Sequence, residues 1–297
     1  MRRVNFVHPN VGFGSFYYVS KCACAWLDPS IKCVVSNFYL PKHLNIRVDC
    51  IRQTINNRRP GDIYWLDDFF LPPSRKCTKP LFVTSVWNKR NLESVGYHVE
   101  GVIPRLPSPL VFSTFDDRYD REYDFIFIGY DYWRKGIDVL ERLVKYVKCK
   151  YIAICDYRVC THRFGSLSDI EKIRLFRKAR FLLWLSRVEG FGVPPLEAML
   201  LGTAVIYTDV PAHNEFTVGI KIPASKEPRV IKSLMYGGEP FYAFDYSFED
   251  VVRVVTDALR MTKDEWQDLV HRAREVAERL VIGGAERLNE VVLRYTQ

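Results

Sequence analysis

The stretch from Ser186 to Ile206 holds the residue types best suited to chemistry. Two carboxylates, Glu189 and Glu197, flank the loop Gly190-Phe191-Gly192-Val193 and the pair Pro194-Pro195. The pattern reads as a strand, a glycine-bearing loop, then a helix opened by proline, which suits a first turn because its missing N–H is not needed there. Gly190 and Gly192 allow a ligand to come close to the backbone. The amides around Phe191, Gly192 and Val193, with the helix dipole behind them, favour an anion such as a phosphate. Glu189 before the loop and Glu197, read as first-turn, are then left to accept from hydroxyls. A diphosphate between two hydroxyl-bearing rings, a nucleotide-sugar, fits this arrangement. A helix start decorated with acidic residues gives the same pattern with no ligand at all.

The elements that must position this loop alternate. Strands are expected at Arg3–Val7, Ile31–Phe38, Asp62–Leu66, Leu81–Ser85 and His98–Ile103, with helices reaching Trp26 and covering Asn88–Val95. Leu44, Val48, Ile51 and Ile55 fall at helical spacing among Lys42, Arg47, Arg52, Arg58 and Arg59, which predicts an amphipathic basic helix. The segment Pro104-Arg105-Leu106-Pro107-Ser108-Pro109 reads as a stiff extended linker. The alternation then restarts with Tyr123–Gly129, Gly136–Tyr146, Tyr151–Cys155, Ser168–Lys178, Phe181–Ser186, Pro194–Leu201 and Ala204–Thr208. The tail from Phe248 to Tyr295 is helical in pattern, with a break expected at Gly283-Gly284. The sum is an α/β protein of two doubly wound parallel-sheet domains, residues 1–107 and 108–297, with a cleft between them.

The run Glu-Gly-Phe-Gly-x-Pro-x-x-Glu-Ala-Met-x-x-Gly, followed by Ala-Val-Ile, resembles the E-x7-E signature of GT-B retaining glycosyltransferases, family four. Phe127-Ile128-Gly129 followed by Arg134-Lys135-Gly136 is similar to that family's phosphate-binding turn. Phe176–Ser186, Thr208–Glu215 and Val102-Ile103-Pro104 also match; the likeness is specific from about Phe125 to Glu215 and loose before Ser85. The resemblance implies two Rossmann-like domains, the first abbreviated. It places Glu189 beside the donor sugar, Glu197 on the ribose hydroxyls and Lys135 on the diphosphate, with Gly190, Phe191, Gly192 and Val193 holding phosphate or sugar through their amides. Growing negative charge on a leaving nucleoside diphosphate suits a lysine there. No metal or cofactor is implied, and no Asp-x-Asp motif is present to bind a metal.

Where the family usually has an arginine after the strand glycine, this chain has Tyr130, and Arg134 is the nearest stand-in. An ordinary solvated Arg134-Lys135 pair is the plain alternative. A histidine that the family often carries in its first domain is not found. Asp67 and Asp68 follow the strand Tyr64-Trp65-Leu66 and are candidates for the acceptor side, or a solvated loop. Gly12, in a glycine turn with Gly14, either passes close to the donor diphosphate or simply closes a strand–helix turn. His8 and His213 read as structural, His213 being the better functional candidate because it sits in a matched segment.

The chain has 297 residues, 48% hydrophobic, and a net charge of +8. Through Pro107 there are 15 Lys and Arg against 7 Asp and Glu, and 28 of each thereafter, so the first third carries the whole excess. Such asymmetry suits an anionic partner, either an acidic acceptor or a membrane surface, or a solvated basic face. No apolar run approaches the ~20 residues that span a bilayer, and no signal-peptide segment is present, so a cytoplasmic protein is expected, with peripheral membrane contact an option. The eight cysteines show no C-x-x-C spacing; reduced thiols are the default outside a hyperthermophile. The leading expectation is a metal-independent retaining sugar transfer from a nucleotide-sugar to a sugar, lipid or protein acceptor. Weaker alternatives are a GT-B-shaped nucleotide-sugar-binding protein without turnover, a phosphorylase or epimerase, and nucleic-acid binding, which no basic-aromatic motif supports.

Overall fold

A computed structural model describes residues 2–8, 15–50, 54–55, 60–67, 70–72, 77–232 and 238–296. Gly12 and Asp68 lie outside the described residues, as do Arg52, Arg58 and Arg59. The chain forms two compact units. One comprises Met1–Pro109, Lys232–Phe241 and Arg279–Gln297, the other Leu110–Ile231 and Tyr242–Glu278. The expected boundary at Pro107 falls two residues from the first of these divisions. The contiguous second domain does not hold, because the last part of the final helix groups with the first unit.

In the first unit, β1 (Arg3–Val7), α1 (Ser15–Ala25), β2 (Lys32–Ser36), β3 (Leu44–Cys50), β4 (Ile63–Asp67), β5 (Leu81–Val83), α2 (Val86–Glu93) and β6 (Gly101–Val102) follow in order. The sheet runs β2-β1-β3-β4-β5-β6 with every pair parallel. Over Leu44–Cys50 the basic helix expected near Lys42–Arg59 is replaced by a strand between β1 and β4. Leu44, Ile46 and Val48 fit a period of two just as Leu44 and Val48 fit a helical stripe, and an interior strand of a parallel sheet is covered on both faces, as the burial of Asn45 through Asp49 shows. Its polar residues are therefore partnered, in part by loop carbonyls next to the sheet. Asn45 Nδ2 donates to Leu40 O at 3.0 Å and His43 O at 2.8 Å, and Arg47 Nε donates to Pro60 O at 3.0 Å. Arg47, buried at 4% exposure, is no part of a solvated basic face.

The proline-rich segment after β6 is irregular, as expected of a linker, yet Arg105, Leu106, Pro107 and Ser108 are buried. Arg105 lies over the Trp65 ring at 5.2 Å, and the indoles of Trp65 and Trp26 donate to Ile103 O and Pro107 O, each at 2.8 Å. Cys24 pairs with Cys33 and, in the second unit, Cys155 with Cys160, at Cα separations of 5.7 and 5.3 Å. The all-reduced expectation is corrected for these four residues; the other four form no disulfide.

The second unit contains α3 (Pro109–Phe112, from Leu110 on), β7 (Tyr123–Ile128), α4 (Ile137–Tyr146), β8 (Tyr151–Ile154), α5 (Asp169–Arg177), β9 (Ala179–Trp184), α6 (Val193–Leu201), β10 (Ala204–Thr208), α7 (Pro211–Asn214) and β11 (Ile220–Ile222). After the short strands β12 (Arg229–Lys232) and β13 (Pro240–Ala243) come α8 (Phe248–Leu259) and α9 (Lys263–Tyr295). The five-stranded sheet is parallel throughout, in the order β11-β10-β9-β7-β8. Its core joins Phe125, Phe127, Leu140, Leu143, Phe181 and Leu183 to Val251, Val255 and Trp266 of the terminal helices. α9 is one helix of 33 residues, so Gly283-Gly284 does not break it. Gly284 instead permits close approach: a Cβ there would come within 2.7 Å of Pro104. Among the described residues no helix is long and apolar enough to cross a membrane.

Candidate active site

β7 and β9 are hydrogen-bonded neighbours, with Phe125 opposite Phe181 and Ile126 opposite Leu182. Their carboxyl ends therefore deliver two loops side by side, residues 129–136 and 185–192. Backbone freedom is needed at two points. Gly136 has φ +76°, and a Cβ there would sit 2.5 Å from the Leu185 Cβ and 2.6 Å from the Leu185 carbonyl oxygen. Gly192, at φ 91°, is the N-cap of α6, with proline in the first turn and no side-chain cap. That helix end presents its dipole, and because Pro194 and Pro195 carry no N–H, the backbone donors at its start are those of Gly192 and Val193.

The two loops bring Lys135, Arg134 and Glu189 together, although the first two lie more than fifty residues before the third. Lys135 Nζ and Ser186 Oγ both donate to Glu189 Oε1, and Arg134 Nη1 lies 3.2 Å from the same oxygen. Lys135 Nζ also sits 4.4 Å from the Trp184 ring centroid, a cation–π arrangement. Arg134 is held by Asp131, whose Oδ2 lies 3.4 Å from its Nε, and donates to Val188 O at 3.2 Å. The group is nearly closed to solvent, the lysine and glutamate side chains each being 10% exposed. Burial draws the Lys135 ammonium down to about 8, against the opposing pull of Glu189. Burial alone would raise the Glu189 carboxyl, but Lys135 and Arg134 outweigh it and hold the group at about 2. At neutral pH this is an ionised carboxylate clasped by two cations.

Glu197 does not lie in the first helical turn as expected; α6 starts at Val193, and Glu197 is its fifth residue. It is buried, and Lys172 Nζ on α5 donates to its Oε1 at 2.8 Å. The Phe191 ring stacks on Phe216, with centroids 4.5 Å apart and planes at 15°. Tyr130 occupies the position after Gly129, and the Arg134 guanidinium lies 5.8 Å from its ring.

His213 is buried behind the charged group. The indole Nε1–H of Trp184 donates to His213 Nε2 at 2.9 Å, so Nε2 must accept, and the proton on Nδ1 faces Thr208 O at 3.1 Å. Burial keeps this imidazole neutral, lowering it to about 4. A histidine so fixed serves packing and hydrogen bonding, in line with the structural expectation. Sequence reasoning missed Ser186, Lys172 and Trp184 as members of the surroundings, along with Arg187. Lys172, Trp184 and Arg187 meet their partners only through tertiary packing, whereas Ser186 reaches Glu189 within the same loop, three residues on.

In the first unit Asp67 ends β4. Its Oδ1 accepts from Thr84 Oγ1 at 2.8 Å and Asn88 Nδ2 at 3.1 Å, and its Oδ2 lies 3.6 Å from Arg105 Nε. It is a structured group at the carboxyl end of a strand rather than a solvated loop residue. Among the described residues, no group of three or more His, Cys, Asp or Glu is placed to hold a metal ion.

The fold and these loops define a GT-B protein. Sucrose-phosphate synthase from Thermosynechococcus elongatus superposes with a TM-score of 0.66 over 99% of both chains at 11% identity. WaaG, a glycosyltransferase involved in lipopolysaccharide biosynthesis, gives 0.63 at 13% identity over 98% of this chain and 99% of the other. Anabaena Alr3699/HepE, solved with UDP and glucose, gives 0.63 at 13% identity over 99% of both chains. The family model for "Glycosyl transferases group 1" matches residues 145–218. "Putative glycosyltransferase 63" of Sulfolobus islandicus filamentous virus (isolate Iceland/Hveragerdi) is 30% identical over 190 residues, 62% of this chain and 69% of the relative. "Putative glycosyltransferase ORF330" of Acidianus filamentous virus 2 (isolate Italy/Pozzuoli) is 31% identical over 217 residues, 66% of this chain and 62% of its own length. The chain thus spans less than two thirds of ORF330. It belongs to the glycosyltransferase group 1 family.

Proposed function

We propose that the protein transfers a sugar from a nucleotide-diphosphate sugar to an acceptor hydroxyl, with retention and without a metal ion. The observation that carries this reading is the cluster of Lys135, Arg134 and Glu189 beside the uncapped start of α6. On this reading the donor diphosphate lies on the Gly192 and Val193 amides at the start of α6. Lys135 and Arg134 then neutralise the charge that grows on the leaving nucleoside diphosphate as the glycosidic bond breaks. Preorganised cations in a dry site lower that barrier without reorganising. Glu189, an ionised acceptor, holds the two cations in place before the donor arrives and turns to a donor sugar hydroxyl when it does. It is no general acid, because its carboxyl stays ionised across the working range. Glu197 accepts from ribose hydroxyls and shares its carboxylate with Lys172.

Retention rests on the E-x7-E resemblance. Metal independence is supported by the two cations, which supply the positive charge a divalent ion would otherwise bring. The +8 of the first 107 residues supports an acidic acceptor or an anionic membrane surface on the cytoplasmic side, with Arg47 excluded from it. The test is a panel of uridine and guanosine diphosphate sugars, with nucleoside diphosphate release and product anomeric configuration as readouts. Turnover that survives EDTA and yields the donor's own anomer supports the reading. Donor binding without release would instead identify a nucleotide-sugar-binding protein, and no binding to any member would overturn both.

A further inference from the structure

Something must hold the two site loops in register, since Lys135 rides on one and Glu189 on the other. Two arginines cross between them in opposite directions. Arg134, from the first loop, donates to Val188 O on the second at 3.2 Å. Arg187, from the second, donates through Nη1 to Trp133 O on the first. Arg187 also places both guanidinium nitrogens on Asp138, Nη1 to Oδ1 at 3.0 Å and Nη2 to Oδ2 at 2.9 Å. Asp138 is the second residue of α4, where a carboxylate also suits the helix dipole. The guanidinium lies 4.5 Å from the Trp133 ring centroid and 5.0 Å from that of Tyr246. The backbone is tied as well: Arg187 N donates to Arg134 O at 2.8 Å, and Phe244 N donates to Arg187 O at 3.0 Å. None of these Arg187 contacts reaches Glu189 or Lys135.

We propose that Arg187 is a positioning residue that, through its two-pronged bond to Asp138 and its bond to the Trp133 carbonyl, sets Glu189 against Lys135. The inference rests on the reading above that those two groups act on the donor. Lysine at position 187 would keep the charge but lose the planar fork and the stacking, which is why the pair is not interchangeable here. A misplacement of about 1 Å at a reacting centre costs ~10²-fold in rate.

The experiment compares wild type, Arg187→Lys, Asp138→Asn and the double variant. Each single change is expected to lower kcat by ~10–100-fold with little change in the donor KM. The double variant is expected to be no worse than the worse single one, because both changes release the same tie. A second readout needs no turnover: the pH-dependent acetylation rate of each lysine, followed by mass spectrometry. Lys135 faces Glu189 and Arg134, with Asp131 on its own loop, the Trp184 ring on β9 and neutral His213 on α7. Loosening the loops admits water to its ammonium, so Lys135 is expected to label faster in Arg187→Lys and to titrate closer to an ordinary lysine than the wild-type value of about 8. Unchanged Lys135 labelling in Arg187→Lys overturns the inference. If labelling shifts while wild type turns over no donor, the positioning role stands and the proposed function falls.

Discussion

Replacing Lys135 by methionine separates the structural from the chemical work of the charged cluster. The change removes one of two cations from a carboxylate that is 10% exposed. Breaking a buried pair from one side costs ~3–5 kcal/mol when nothing else compensates the remaining charge. Here Arg134 stays 3.2 Å from Glu189 Oε1, and Ser186 still donates to it, so the residual charge is partly met. The expected loss is therefore smaller, about 1–3 kcal/mol, the desolvation cost of an under-satisfied group. At ~2–4 °C per kcal/mol for a domain of this size, the melting temperature should fall by several degrees. Adding Glu189→Gln removes the stranded charge, and at least half of the lost stability should return. Activity should not return. Losing a donor aimed at developing charge costs ~10²–10³ in rate, and the double variant lacks that donor just as the single one does. Differential scanning calorimetry and nucleoside diphosphate release on the same preparations check both halves. Recovery of turnover together with stability in the double variant, or a Lys135→Met enzyme within tenfold of wild type, would refute the assignment.

Glu197→Ala should raise the donor KM more than it lowers kcat, because a ribose contact is shared by ground and transition states; steady-state kinetics with the preferred donor decide it. Activity should decline above about pH 8 as Lys135 loses its proton, and a pH–rate profile that stays flat to pH 10 would count against its cationic role. His213 titrates at about 4 in the folded chain against 6.5 when exposed. Between those values the unfolded chain binds more protons, so stability should drop as pH falls from 6.5 toward 4, and denaturant midpoints for wild type and His213→Gln should converge there. Gly136→Ala should destabilise by ~1–2 kcal/mol from its left-handed backbone alone. The clash of its Cβ with Leu185 at 2.5 Å adds to that, which thermal unfolding would register.

Much of this molecule is written in local pattern. The alternation of strands and helices, the glycine-and-proline opening of α6 and the placement of Glu189 before it are properties of short segments, and short segments carry their own periodicity and turn chemistry. The two parallel sheets follow, because strands joined through helices have few other ways to pair. Local pattern failed where two readings fit equally. Leu44, Ile46 and Val48 suit a strand, Leu44, Val48, Ile51 and Ile55 suit a helix, and pairing with β1 and β4 decided for the strand over Leu44–Cys50. The glycine pair in α9 was read as a break because glycine favours ends. In the fold the helix continues, and Gly284 gives Pro104 room.

The charged site itself divides the same way. That Glu189 would stand at a helix opening is legible in its neighbours. That Lys135 and Arg134 would clasp it, that Arg187 would fork onto Asp138, and that Lys172 would reach Glu197 from α5 are decided by the register of β7 against β9 and by the packing of α5. These contacts join residues that share no turn or helical face, so no spacing along the chain could announce them. Burial then changes the chemistry of what is brought together. An ordinary glutamate and an ordinary lysine become a coupled pair with displaced titrations only once the sheet has placed both out of water, where a charge is tolerable beside its counter-charge and costly without it.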